Sequence, residues 1–249
     1  MLVIFVIQQI YPFGERSFLH IDMYHQYFPF LVEFYHKLRN GESLFYSWNT
    51  GIGSNFLALY VYYLASPANW LCILVPERFL MEFLSYMVVI KTGLCGLTFT
   101  YYIRKHFQSS PWGILGFSLF YALSGFMAAY NWDVMWLDVI VLAPVIILGV
   151  ERLVNEGKCY MYCITLGLSI LSNYYLSILL CIFLVLYFAV LLIAREPSAD
   201  QDSAPLAFPK LGGIKNFYGK ALIRFSVFSL LAGGMAAVLL LPELAALRF

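Results

Sequence analysis

Cys159–Ala194 reads CYMYCITLGLSILSNYYLSILLCIFLVLYFAVLLIA, 36 consecutive residues without a charge. A membrane-crossing helix needs about twenty apolar residues. The run is therefore too long for one span and rather short for two. The flanking charges decide. Arg152 and Lys158 precede the run, and Arg195, Lys210, Lys215, Lys220 and Arg224 follow it. Lys and Arg concentrate on the cytoplasmic side of a membrane, so an even number of crossings separates the two loops. The run is two helices, broken near Ser172-Asn173-Tyr174-Tyr175.

Four more apolar runs extend the pattern on both sides: Phe79–Ile103, Trp112–Tyr130, Met135–Val150 and Ala221–Leu241. Arg104 and Lys105 put another loop in the cytoplasm, while Asn131–Val134 and Asn173–Tyr175, on the opposite side, hold no Lys or Arg. Composition agrees. The 249 residues are 62% hydrophobic and 12% charged, against about 25% charged in a soluble domain. The fold class is all-α, a polytopic integral membrane protein. Met1–Ile10 is apolar but only ten residues long, which predicts the outer part of a first span, with sequence missing on both sides of the fragment. A single transmembrane domain is expected over 1–249. Its parts are a partial first span at 1–10, an outer loop at 11–78, about five further spans over 79–241 and a cytoplasmic loop at 195–220. Within that last loop, Glu196–Pro209 carries Pro197, Pro205 and Pro209 and reads as a flexible linker.

A net charge of +1 gives no field for nucleic acid. Cys72, Cys95, Cys159, Cys163 and Cys181 all lie in apolar runs and form no CxxC pair, so they read as small apolar fillers. The 11–78 loop mixes Arg16, Lys37, Arg39 and Arg78 with Glu15, Asp22, Glu33, Glu42 and Glu77, and its charges do not choose a side. Inside it, Phe56–Val75 is uncharged but interrupted by Ser66-Pro67-Ala68-Asn69. Proline disrupts a helix and biases the preceding residue away from helical angles. The segment is predicted to be a re-entrant or interfacial hairpin, with the whole loop outside.

The loop also holds most of the candidate chemistry. From Asp22, Tyr24, Tyr27, Phe28, Leu31, Phe34 and Leu38 recur at helical spacing, which predicts an amphipathic helix along the membrane face. Asp22 opens it, with His25 and Gln26 one turn on. Asp22 reads either as a helix cap or as a general base or metal ligand. His20 reads either as a packing residue or as a partner of Asp22 in an H-x-D metal pair. Trp48-Asn49-Thr50-Gly51-Ile52-Gly53-Ser54-Asn55 is a shaped loop, not a nucleotide fingerprint, because no strand precedes it. Farther on, Asp133 reads as a solvated loop charge or cap, or as a site acid. Asp138 falls in the first turn of the next helix, and Lys91 lies twelve residues into its span. A charge at that depth needs a partner. Lys91 either pairs with a carboxylate, with Asp138 in reach, or contacts a lipid phosphate.

The ordered set of short motifs resembles one family. It comprises Pro12–Gly14, His20–Asp22 with His25–Tyr27, Trp48–Asn55, Tyr62–Pro67, Lys91–Gly96, Trp136–Asp138 with Pro144, Gly149–Leu153 and Ser172–Tyr175. Together these resemble the bacterial YfhO membrane proteins, which are similar to the GT-C class of glycosyltransferases. The resemblance implies a GT-C-like helical bundle that takes a sugar from a polyprenyl-phosphate carrier and transfers it on the outer face to a cell-envelope polymer such as teichoic acid. It implies Asp22 as the catalytic acidic residue of the first outer loop and Asp138 as the second acidic position. His20, His25, Gln26, Trp48, Asn55, Lys91, Asp133, Asn173 and Tyr174 are the expected substrate contacts. A divalent cation is compatible with this chemistry, but the first loop lacks a D-x-D, so no metal ligands are assigned. The expected partners are the lipid-linked sugar, the polymer acceptor and membrane lipid. The rival readings are a lipid-linked sugar flippase and a non-catalytic envelope scaffold.

Overall fold

The computed structural model describes residues 2–107, 110–194 and 214–246, so the Glu196–Pro209 linker lies outside the described residues. The 36-residue run divides where its polar residues predicted, into α8 (Tyr160–Ser172) and α9 (Tyr174–Ala194). Asn173 makes the division. Its backbone is extended, and its side-chain oxygen accepts from Leu176 N at 2.9 Å, as an N-cap does. The remaining long helices are α4 (Leu80–His106), α5 (Pro111–Ala122), α6 (Gly125–Tyr130), α7 (Leu137–Asn155) and α10 (Ile214–Ala246). The expected run Trp112–Tyr130 is thus split. Ser124 begins α6 by accepting from Met127 N.

Among the described residues, four helical stretches are long and apolar enough to cross a membrane: Glu77–His106, Pro111–Tyr130, Tyr174–Ala194 and Phe217–Ala246. The exteriors agree with lipid as solvent. On α9, Ile178, Leu179, Ile182, Phe183, Val185, Leu186, Val190 and Ile193 all point outward, a surface too apolar for water and suited to a bilayer.

Before α4 the chain is irregular. A short α1 (Leu2–Ile7) leads into a π-helical turn, Met23–Tyr27, continued by α2 (Phe28–Asn40). Gly41 ends α2 with φ 67°, the left-handed conformation that closes a helix. A two-stranded antiparallel hairpin follows, β1 (Tyr46–Ser47) with β2 (Ser54–Asn55). Then come α3 (Phe56–Leu59), a π-helical turn (Tyr60–Leu64) and a 3-10 helix (Pro67–Leu74). The two halves of this last segment, Phe56–Leu64 and Pro67–Leu74, bend by 102° at Ser66–Pro67. The Pro-centred interruption is therefore real in the backbone. Asn69 repairs it by donating from its side chain to the Leu64 carbonyl at 3.1 Å.

Two cores hold the helices together. One packs the 11–78 segment onto α4 and the start of α7, around Phe5, Met23, Leu31, Phe34, Phe56, Leu84 and Leu137. The other packs the far half of α7 with α8, α9 and α10, around Ile146, Leu153, Tyr162, Leu166 and Phe225. Helix α7 joins both. Pro144 inside it cannot donate to the Ile140 carbonyl four residues back. The Tyr121 hydroxyl donates to that carbonyl instead, at 2.7 Å. Gly149 lets α8 approach closely, since a Cβ there would sit 2.8 Å from the Tyr162 backbone.

Candidate functional site

Asp22 lies where the 11–78 segment enters its first helix. Ile21, just before it, has φ 50°, an uncommon conformation for a β-branched residue and one that concentrates at functional sites. Asp22 itself is already helical (φ −66°, ψ −22°), and its side chain makes no capping hydrogen bond. This corrects the helix-cap reading. A capping side chain needs a non-helical backbone to reach back to the free amides, and the turn at Ile21 comes one residue too early. Asp22 is half-buried. Its charge acts on Tyr27 and Asp133, and its carboxylate has no hydrogen bond or ion pair among the described residues.

Asp133 is not a solvated loop charge. It is 2% exposed, in the turn between α6 and α7, flanked by buried Val134 and Met135. The Tyr27 hydroxyl donates to its Oδ1 at 2.5 Å. Its Oδ2 is buried with no hydrogen-bond partner among the described residues. Burial pushes the Asp133 carboxyl above the usual carboxylate range. The bond from Tyr27 opposes that rise, and the nearby Asp22 charge adds to it. Burial and the bond to Asp133 also push the Tyr27 hydroxyl above the usual phenol range. The arrangement is asymmetric: one half-open carboxylate stands beside a buried one held by Tyr27. Tyr63 borders the group, with its ring 5.4 Å from that of Tyr27 and its hydroxyl donating to Gln26 at 3.2 Å.

Lys91 and Asp138 pair at 2.7 Å, with Lys91 3% exposed. The ammonium also donates to the Val134 carbonyl at 3.0 Å and to Ser66 Oγ at 3.4 Å. Its three N–H donors are thus used to tie α4, α7 and the Ser66–Pro67 bend together. This corrects the reading of Lys91 as a phosphate contact, because no donor is left. It also makes Asp138 a charge partner rather than a free base.

The other sequence candidates scatter. His20 is exposed and bonds to the Phe18 carbonyl at 2.8 Å. His25 packs edge-on against Tyr24. Trp48 stands at the hairpin turn, 77% exposed, against Tyr46. Asn55 caps α3 through Ala58 N, so its carbonyl is committed to structure. The hairpin is held from below by Glu33, which accepts from Ser47 at 2.6 Å and from Asn49 at 2.9 Å. Burial alone would raise the Glu33 pKa, but these bonds and Lys37 outweigh it and hold the carboxyl below its ordinary range. Asn173 spends its amide on Leu176 and on the Tyr62 carbonyl, 3.2 Å away. Tyr174 donates to Glu243 of α10 at 3.0 Å.

Glu243 escaped the sequence reading. Its signal was a carboxylate one residue past Pro242, after an uncharged run from Phe225 to Pro242, the kind of intramembrane acid that calls for a partner. Among the described residues, no group of three or more His, Cys, Asp or Glu side chains is placed to hold a metal ion. The described cysteines are free and buried or half-buried.

The sequence profile of a family described as bacterial membrane protein YfhO matches residues 1–248. No curated protein and no solved structure matches the chain. The chain belongs to the YfhO family and is a multi-pass protein of the bacterial cell membrane.

Proposed function

We propose that this YfhO-family protein is a membrane glycosyltransferase that moves a sugar from a polyprenyl-phosphate carrier to a cell-envelope polymer, such as teichoic acid, at the outer face. The observation that carries the reading is the state of Asp22. It is a half-open carboxylate without a hydrogen bond or ion pair among the described residues, next to the left-handed Ile21 and backed by the buried Tyr27–Asp133 pair. An acceptor hydroxyl loses its proton as it attacks the anomeric carbon, and a carboxylate in hydrogen-bond reach takes it. Asp22 is free to do so. Asp138 is paired with Lys91, and Asp133 is buried and bonded by Tyr27, so neither offers an open carboxylate. With the Lys91 donors taken, stabilising the departing lipid phosphate falls to another cation or donor.

In the full-length protein, Asp22→Asn is expected to lower sugar transfer by about 10²- to 10⁴-fold, the contribution typical of a positioned base, while membrane insertion is unchanged. Transfer at the wild-type rate would falsify the assignment. Wild-type protein that presents the sugar outside only when the lipid-linked donor is supplied from the cytoplasmic side, and forms no new glycosidic bond, would favour a flippase.

A further inference from the structure

Beyond Asp22, a second set of unsatisfied groups lies where α7, α9 and α10 meet the 11–78 segment. Glu243 is 6% exposed. One oxygen accepts from Tyr174 at 3.0 Å, and the other, Oε2, is buried with no partner among the described residues. Asp133 Oδ2 is in the same condition, as is the indole Nε1 of Trp136. Buried polar atoms without partners are rare in native structures and call for an explanation. These three belong to one aromatic cluster. The Tyr62 ring lies 6.0 Å from Tyr174 and 6.2 Å from Tyr175. Tyr175 stacks on Trp136 at 6.3 Å, and the Asp133 charge reaches Tyr62. Tyr175 is exposed at the edge of the group, 47%.

The unmet atoms are two acceptors and one donor, set among flat apolar rings. An ammonium ligand would satisfy the carboxylates and leave the indole unmet. A phosphate would take the indole and be repelled by the carboxylates. A hydroxyl both donates and accepts, so a polyhydroxylated ring carries partners for both kinds of atom, and its C–H faces suit aromatic rings. We infer that Glu243, Asp133, Trp136 and the tyrosines 62, 174 and 175 form a saccharide subsite, with the two carboxylates accepting from sugar hydroxyls. This rests on the reading of the protein as a glycosyltransferase and adds α10 to its site.

The test uses full-length protein in lipid nanodiscs and saturation-transfer NMR. The probes are methyl α-glucoside, methyl β-galactoside and methyl N-acetyl-β-glucosaminide, with tetramethylammonium and inorganic phosphate as counter-probes. Saturation is expected to reach at least one glycoside and neither ion. Glu243→Ala is expected to abolish it. Glu243→Gln, which keeps an acceptor for Tyr174 and so protects the fold, is expected to weaken binding by about tenfold, as loss of a charge-assisted hydrogen bond does. No transfer to any glycoside, equal transfer in both Glu243 variants and wild type, or transfer to tetramethylammonium alone would each overturn the subsite. The two proposals fail separately. Glycoside binding that depends on Glu243, with wild-type turnover in Asp22→Asn, removes the base and keeps the subsite. Turnover that depends on Asp22, with binding indifferent to Glu243, does the reverse.

Discussion

Asp133 and its donor Tyr27 stand 106 positions apart in sequence, which is why the buried pair could not be read from spacing. Local patterns marked Asp133 as an acid at a helix entrance, but only the fold shows that it is sealed. Its raised pKa has a consequence with a definite sign. The folded state binds this proton more tightly than the unfolded chain does. Asp133 therefore contributes stability at low pH, and that contribution is lost as pH rises from the ordinary carboxylate range through the raised folded value. Asp133→Asn removes this dependence and keeps an acceptor for Tyr27, so its thermal stability at neutral pH is expected to equal or exceed wild type. Asp133→Ala leaves the Tyr27 hydroxyl buried and unmet, which costs about 1–3 kcal/mol. Thermal unfolding in detergent across a pH series distinguishes the two; an Asn variant as unstable as the Ala variant would contradict the assignment. The Lys91–Asp138 pair was legible, because two charges at membrane depth must meet something and each was the other's nearest option. What the sequence could not show was that the ammonium also holds the Val134 carbonyl and Ser66. Lys91→Met is expected to destabilise the protein by about 3–5 kcal/mol, since it strands a partly buried carboxylate. Lys91→Met combined with Asp138→Leu should recover much of that. A double variant no more stable than the single would show that the ion pair itself is not the source of the loss.

At the level of elements, breaks were read more reliably than continuous helix. Ser172–Tyr175 and Ser66–Asn69 are breaks in the structure, because Asn, Ser and Pro act on the backbone within a turn of where they stand. The division of the predicted Trp112–Tyr130 span at Ser124 was missed: a lone serine in an apolar run gives little warning that it begins a new helix. The helical stretch expected from Asp22 begins at Met23, but as a π-helical turn, with α2 proper starting at Phe28; of the two readings of Asp22, the capping one is excluded by the early turn at Ile21. Pro144 shows how an element absorbs its own defect. The carbonyl it orphans is met by Tyr121 of α5, so the α5–α7 contact carries a hydrogen bond as well as packing. Tyr121→Phe keeps the ring and removes only the donor. It is expected to cost about 1–3 kcal/mol, visible as a lower unfolding temperature. No change would mean that the Ile140 carbonyl finds another donor.

Across the whole molecule, one set of acids and phenols is drawn together from segments far apart in sequence. Asp22 and Tyr27 come from the entrance of the first loop helix, Asp133 from the turn before α7, Tyr62 from the bent segment, Tyr174 from the start of α9 and Glu243 from the end of α10. Sequence alone singled out Asp22, Asp133 and Tyr174 from this list. It missed Glu243 because the pairing with Tyr174 crosses 69 residues. Every role assigned to this cluster requires the 11–78 loop to face outward, and its own mixed charges leave that side undecided. The direct measurement is a single cysteine in place of Glu42, an exposed residue just after α2, in a variant whose five native cysteines are replaced. Treatment of intact cells with a membrane-impermeant maleimide is expected to label it fully. Labelling only after the membrane is permeabilised would place the loop, Asp22 included, in the cytoplasm and contradict the outer-face site.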